Sequence, residues 1–252
     1  MAVYAAVLPG SLIAPAVLVA IGPRGSMFVG ALPYLVFGLA NVAMEQEDGG
    51  VLGLAWFVLA GSGVGCGCGI LWGAQGVYIT EQSAEYDRRR RLAAAAASRP
   101  APDGSLGLFT GVGGASTTAG GVFVGAGSSV LLGFEIISRR QFYILLAMLL
   151  LAGNLCFLFL PQRPAAAAAA RKQTAESPCE AVAAIPALLR KSQRMRLLMV
   201  CFVGGGYANA FMSGSFTAQV VGVELGVEWI GAVMAFRNCF GIGSGACAQL
   251  TQ

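Results

Sequence analysis

Histidine is absent from all 252 residues. That excludes histidine-ligated metal enzymes, haem proteins with histidine axial ligands, and any Ser/His or Cys/His catalytic pair. Charge is nearly as scarce: charged residues make up 11% of the chain, where a soluble domain carries about a quarter. With 56% apolar residues and a mean hydropathy of +0.71, no water-exposed surface of ordinary composition can be built. No GxxxxGK[ST] occurs, so nothing supports a phosphate-cradling loop. The seven cysteines (Cys66, Cys68, Cys156, Cys179, Cys201, Cys239 and Cys247) give no disulfide framework, because six fall within apolar runs and Cys179 lies in a basic linker. No nucleophile–base pair, metal ligand set or cofactor motif is left, so an enzyme is the least expected class.

What is present instead is long, uncharged and apolar. Runs of more than about 18 such residues are the signature of membrane-spanning helices. Seven are expected: Val3–Ile21, Ser26–Met44, Val51–Val77, Leu106–Phe134, Phe142–Leu160, Leu197–Val221 and Trp229–Gln249. The runs are continuous rather than alternating in polarity, which argues against a β-barrel. The expected fold is an all-α polytopic membrane protein whose solvent is the lipid bilayer. The first run has no basic n-region and is interrupted by Pro9 and Pro15, so it reads as a span and not as a signal peptide.

Span order divides the chain into five spans over 1–160, a linker over 161–196 and two spans over 197–252. In the linker, Ser177-Pro178-Cys179-Glu180 has the form of a capping box with proline at the first helical position. The Asp87–Ser105 connection is also basic and alanine-rich, and both segments are expected to be mobile. Met1 stands almost at the first span and Gln252 follows the seventh without a polar tail, a pattern expected of part of a larger bundle.

If successive loops alternate sides, one side holds Arg24, Arg88–Arg91, Arg99, Arg163, Arg171, Lys172, Arg190, Lys191, Arg194 and Arg196; the other holds Arg139 and Arg140. Thirteen against two is a strong positive-inside signal that puts the N-terminus outside and the C-terminus in the cytoplasm. The net charge of +4 is therefore a topology signal rather than a footprint for nucleic acid.

Glycine carries the next pattern. Gly61, Gly65, Gly69 and Gly73 recur every fourth residue, so on a helix they form a smooth groove that lets a neighbouring backbone approach. Similar ladders run through Thr117, Gly121, Gly125 and Ser129, through Gly206, Ala210, Gly214, Ala218 and Gly222, and through Gly231, Ala235, Cys239, Gly243 and Cys247. Leucine at Gly65 or Gly69 should block this approach, and alanine should be milder. Cys66 and Cys68 are two apart, point to nearly opposite faces of a helix, and read as packing residues.

Polar residues inside the spans are few. Trp72, Gln75 and Tyr78 share one broad face near the cytoplasmic end of the third span, either as an interfacial aromatic belt or as a face turned to a polar cavity. The residues that could line such a cavity are Gln75, Tyr78, Ser116, Thr117, Tyr207, Asn209, Arg237 and Asn238. Arg237 lies eight residues into its span, about 12 Å deep at 1.5 Å per residue. No carboxylate lies within a span to pair with it.

Three stretches, Ile21–Tyr34, Gly69–Ser83 and Gly107–Gly125, resemble consecutive segments of unc-93-like proteins of the major facilitator superfamily. The Trp-x-x-Gln-Gly-x-Tyr core (Trp72, Gln75, Gly76, Tyr78) carries most of the likeness and the glycine ladders little. The resemblance implies a major-facilitator-like bundle in which these spans match the second to eighth of twelve. It implies a non-enzymatic regulator of an ion channel, or a partner of receptors in trafficking. The alternative it leaves open is a secondary transporter of a small solute or ion. The spans' want of Asp, Glu and His departs from proton-coupled relays, and Arg237 has no evident family counterpart. A seven-span receptor is disfavoured by the final span, which lacks a receptor-type proline signature.

Overall fold

The computed structural model describes residues 2–44, 51–98, 104–161, 187 and 189–239. Among these every regular element is helical. In chain order they are α1 (Ala2–Met44), α2 (Val51–Ala96), α3 (Leu106–Gly133), α4 (Arg139–Phe157) and α5 (Gln193–Ala210). A π-helical segment (Phe211–Val221), a short α-turn (Gly222–Glu224) and a 3₁₀ turn (Val227–Trp229) follow, and a helix is described over 230–239. Among the described residues four helices are long and apolar enough to cross a membrane: Val3–Met44, Gly53–Ala96, Leu106–Gly133 and Arg139–Phe157. The chain is an all-α integral membrane protein. The Ser177–Glu180 capping box, most of the linker, and the ladder positions Gly243 and Cys247 lie outside the described residues.

Contacts gather the chain into two compact units, Met1–Gln75 with Arg139–Ala210, and Gly76–Ser138 with Phe211–Gln252. In the first unit α1 is two helices joined at Gly22, whose φ of 73° and ψ of 172° are not helical. A Cβ there would meet nothing within 4 Å, so glycine is required by its positive φ and not by crowding. Pro23 follows and cannot continue the preceding hydrogen-bond ladder. Ser26 is fully buried, and its hydroxyl donates to the Gly22 carbonyl at 2.7 Å.

The two halves of α1 run in opposite directions along α2. In the first half Val3 meets Gly61 and Gly65, Gly10 meets Cys66 and Gly69, and Ala14 meets Gly73, so both numbers rise together. In the second half Phe37 packs on Phe57 with ring centroids 5.2 Å apart, Pro33 meets Gly63 and Gly67, and Gly30 meets Gly67 and Leu71, so the numbers run oppositely. α1 therefore doubles back at Gly22, and its halves correspond to the first two expected spans. α4 packs on α1, with Gly38 against Ala147 and Leu150. At the turn end the Arg24 guanidinium donates to the Leu160 carbonyl at 3.4 Å, three residues past the end of α4.

In the second unit, α3 packs antiparallel on the helix over 230–239. Gly121 faces Asn238, Gly125 faces Gly231 and Ala235, and Ser129 faces Glu228 and Ala232. Two expectations change here. The Asp87–Ser105 connection is not a loop throughout, because α2 stays helical to Ala96 and carries Arg88–Arg91 on helix. Strong helix formers (four arginines, Leu92 and an alanine run) extend it. The span expected over Leu197–Val221 is α-helical only to Ala210 and π-helical from Phe211. Of its ladder residues, Gly206 has nothing within 4 Å of its Cβ position among the described residues, and Gly222 lies near the Thr217 carbonyl at 3.3 Å.

Candidate functional site

The residues expected to share a polar cavity divide between the units. Gln75, Tyr207 and Asn209 belong to the first, and Tyr78, Ser116, Thr117, Arg237 and Asn238 to the second. Within the first unit Gln75 is half-buried near the end of the α1 seam, whereas Tyr207 is 76% exposed and Asn209 is exposed on α5. Trp72, on the Gln75 face, is 49% exposed, as an aromatic at a membrane boundary would be. Within the second unit Ser116 and Thr117 are exposed on α3, and the Thr117 hydroxyl donates to the Gly113 carbonyl at 3.0 Å. Tyr78, Arg237 and Asn238 are half-buried, with Asn238 seated against Gly121.

The four ladder glycines sit on the first half of α1, at different distances. A methyl group at Gly65 would overlap the Val3 carbonyl, and one at Gly69 would come within 2.8 Å of the Val7 carbonyl oxygen. At Gly61 it would meet the flexible Val3 side chain at 3.3 Å, and at Gly73 the Ala14 methyl at 3.5 Å. A second glycine seam, Gly63 and Gly67 against Pro33 and Gly30, lies on the neighbouring face. Sequence reasoning missed it because the two glycines are offset by two from the first ladder. The offset was itself the available signal.

Asn154 was also missed. It is 2% exposed on α4, and among the described residues neither of its amide atoms has a hydrogen-bond partner. A lone asparagine within Leu-Leu-Ala-Gly-Asn-Leu-Cys-Phe was its only sequence signal. Ser129 is the opposite case. Its buried hydroxyl donates to the Glu228 carbonyl at 2.7 Å and accepts from the Ala232 N–H at 2.7 Å, so one oxygen stitches α3 to the start of the next helix.

Beyond its apolar run α2 presents a charged end. The Glu85 carboxylate accepts two hydrogen bonds from Arg88, at 2.8 and 2.9 Å, and one from Arg89 at 2.8 Å. These bonds hold its pKa at about 2. Both Asp87 oxygens accept from the Ser105 N–H at 3.1 Å, which anchors the start of α3 and lowers the Asp87 pKa. Arg90 lies 5.6 Å over the Tyr86 ring, which in turn packs on Phe109.

Within each unit, helices meet through close backbone contact at glycines. No curated protein and no solved structure matches the chain. Residues 1–249 match the family model described as ion channel regulatory protein UNC-93. With nearly its whole length matched, the chain belongs to the UNC-93 family of ion channel regulatory proteins.

Proposed function

We propose that this protein is a non-enzymatic membrane partner of an ion channel, acting on the channel's gating or on its delivery to the membrane. The observation that carries this reading is the character of the interior. Among the described residues the buried polar side chains are Ser26, Ser83, Ser105, Ser129, Asn154 and Thr217, and none is charged. Ion- or proton-coupled transport relies on intramembrane ionisable groups, and a bundle of closely locked helices suits a regulatory partner better. The family description points the same way.

The proposed topology has seven spans, five before the linker and two after, with the N-terminus outside and the basic connections in the cytoplasm. Within the first unit the Gly22 turn, Arg24 and the Leu160 end of α4 lie together, which supports placing their two basic connections on one side. Cysteine labelling at Ser98 from each side of the membrane tests this, and labelling from outside overturns the orientation.

Function is tested by whole-cell recording with and without the chain, alongside solute and ion flux through purified protein in vesicles. The expected result is an altered channel conductance and no flux above protein-free vesicles. Saturable flux that Arg237→Gln abolishes, with stability unchanged, would instead establish the secondary transporter.

A further inference from the structure

The end of α2 has the features of a binding site. One face of the helix beyond Val77, formed by Ala84, Asp87, Arg88, Arg91, Leu92 and Ala95, borders an open, shallow surface groove. The nearby acids are already engaged, Glu85 by Arg88 and Arg89 and Asp87 by the Ser105 N–H. Arg88 commits Nε and one terminal nitrogen to Glu85, which leaves its other terminal nitrogen to the groove. Four arginines against Glu85 and Asp87 leave two net positive charges on two turns of helix. Guanidinium groups three residues apart share a helix face and match phosphate oxygens in geometry.

Depth selects among phosphate-bearing ligands. Arg88 follows Val77 by eleven residues, about 16 Å at 1.5 Å per residue. Helical side chains lean toward the N-terminus, here back toward the bilayer, so the guanidinium sits roughly 10 Å past the apolar run. The headgroup layer adds only about 5–8 Å on each side of the hydrocarbon core. A phosphate bonded directly to glycerol stays within that layer, whereas phosphates on an inositol ring project beyond it. Basic clusters just cytoplasmic of a span attract such lipids.

We propose that this groove binds the phosphorylated inositol headgroup of an anionic lipid, with Arg88 and Arg91 taking the ring phosphates and Ala84 and Leu92 lying against the rest of the headgroup. The proposal rests on the cytoplasmic placement of this end. Its binding test does not, so the two can fail separately.

The full chain in nanodiscs of neutral lipid is titrated with a dioctanoyl lipid bearing a bisphosphorylated inositol headgroup. Arg91→Gln, which leaves the Glu85 ion pairs with Arg88 and Arg89 intact, should weaken binding about fivefold, and Arg88→Gln with Arg91→Gln about 25-fold. Arg139→Gln with Arg140→Gln, which removes equal charge from another helix, should leave binding within about twofold. Unchanged binding by Arg91→Gln and by the double variant overturns the site. Equal weakening by the control pair reduces it to general charge attraction. Equally tight binding of a dioctanoyl phosphatidylserine overturns the headgroup assignment, and equally tight binding of inorganic phosphate makes it a free-phosphate site.

Discussion

Two seams built on the same every-fourth spacing hold by different physics. Along the first half of α1, Gly65 and Gly69 of α2 bring backbone against backbone, whereas Tyr34 on the second half of α1 makes side-chain hydrogen bonds with Cys68 and Trp72 of α2. Between α3 and the helix over 230–239, Gly125 and Gly231 also touch, but Ser129 adds a donor and an acceptor to the contact. The hydrophobic effect does little to drive apolar helices together in lipid, so the first seam depends on close fit. The second has directional bonds that fix its register as well. Small-residue spacing thus locates a seam without revealing its chemistry.

The largest expected effect comes from filling the tightest point of the first seam. Gly65→Leu should abolish monodisperse protein on size-exclusion chromatography, because the side chain would displace the Val3 backbone. Gly65→Ala, which the sequence alone would rank as mild, should still cost about 1–3 kcal/mol by overpacking. A thermal midpoint for Gly65→Ala equal to that of the parent protein would break the backbone-contact account. Next comes Gly22→Ala, a change that meets no neighbouring helix. Its φ of 73° with ψ of 172° should cost about 1–3 kcal/mol through backbone strain alone. This substitution separates conformation from crowding, and an unchanged midpoint would mean that the α1 turn relaxes at no cost.

These cases mark how much could be read from the residues. That the chain is helical, apolar and membrane-spanning was legible because membrane helices follow composition. The α2 extension was not, because charge runs read as loops until their helix propensity is weighed. The π-helical turn from Phe211 left no periodic trace. The candidate site was less legible than the fold. A polar residue in a span states a cost but not its partner, and Gln75 and Asn238 fall in different units for reasons that only tertiary contacts supply.

Ser129→Ala sharpens the comparison from the other seam. It removes both bonds to the Glu228 carbonyl and the Ala232 N–H without adding volume. Interhelical bonds of this kind in membrane proteins average about 0.6 kcal/mol and reach about 1.7 kcal/mol, so a loss of about 1 kcal/mol is expected. Ser129→Thr can keep the hydroxyl, and recovery of the midpoint in that variant would assign the effect to the bond. A Ser129→Ala protein as stable as its parent would make the second seam as purely steric as the first.

The smallest effect is expected at Gly73, one helical turn beyond Gly69. A methyl group at Gly73 would meet only the Ala14 methyl at 3.5 Å, an ordinary van der Waals contact. Alanine also has the higher helix propensity, by about 1 kcal/mol in an exposed helix, and lowers the entropy of the unfolded chain. Gly73→Ala should therefore be neutral or stabilising by about 0.5 kcal/mol, whereas Gly69→Ala, pressed against the Val7 and Gly10 backbone, should destabilise. Thermal midpoints of the two single variants, measured side by side in one detergent, provide the test. Equal losses at both positions would mean that the seam stays tight as far as Gly73. Opposite signs would show α1 and α2 diverging between Gly69 and Gly73, where the half-buried Gln75 and the exposed Trp72 follow.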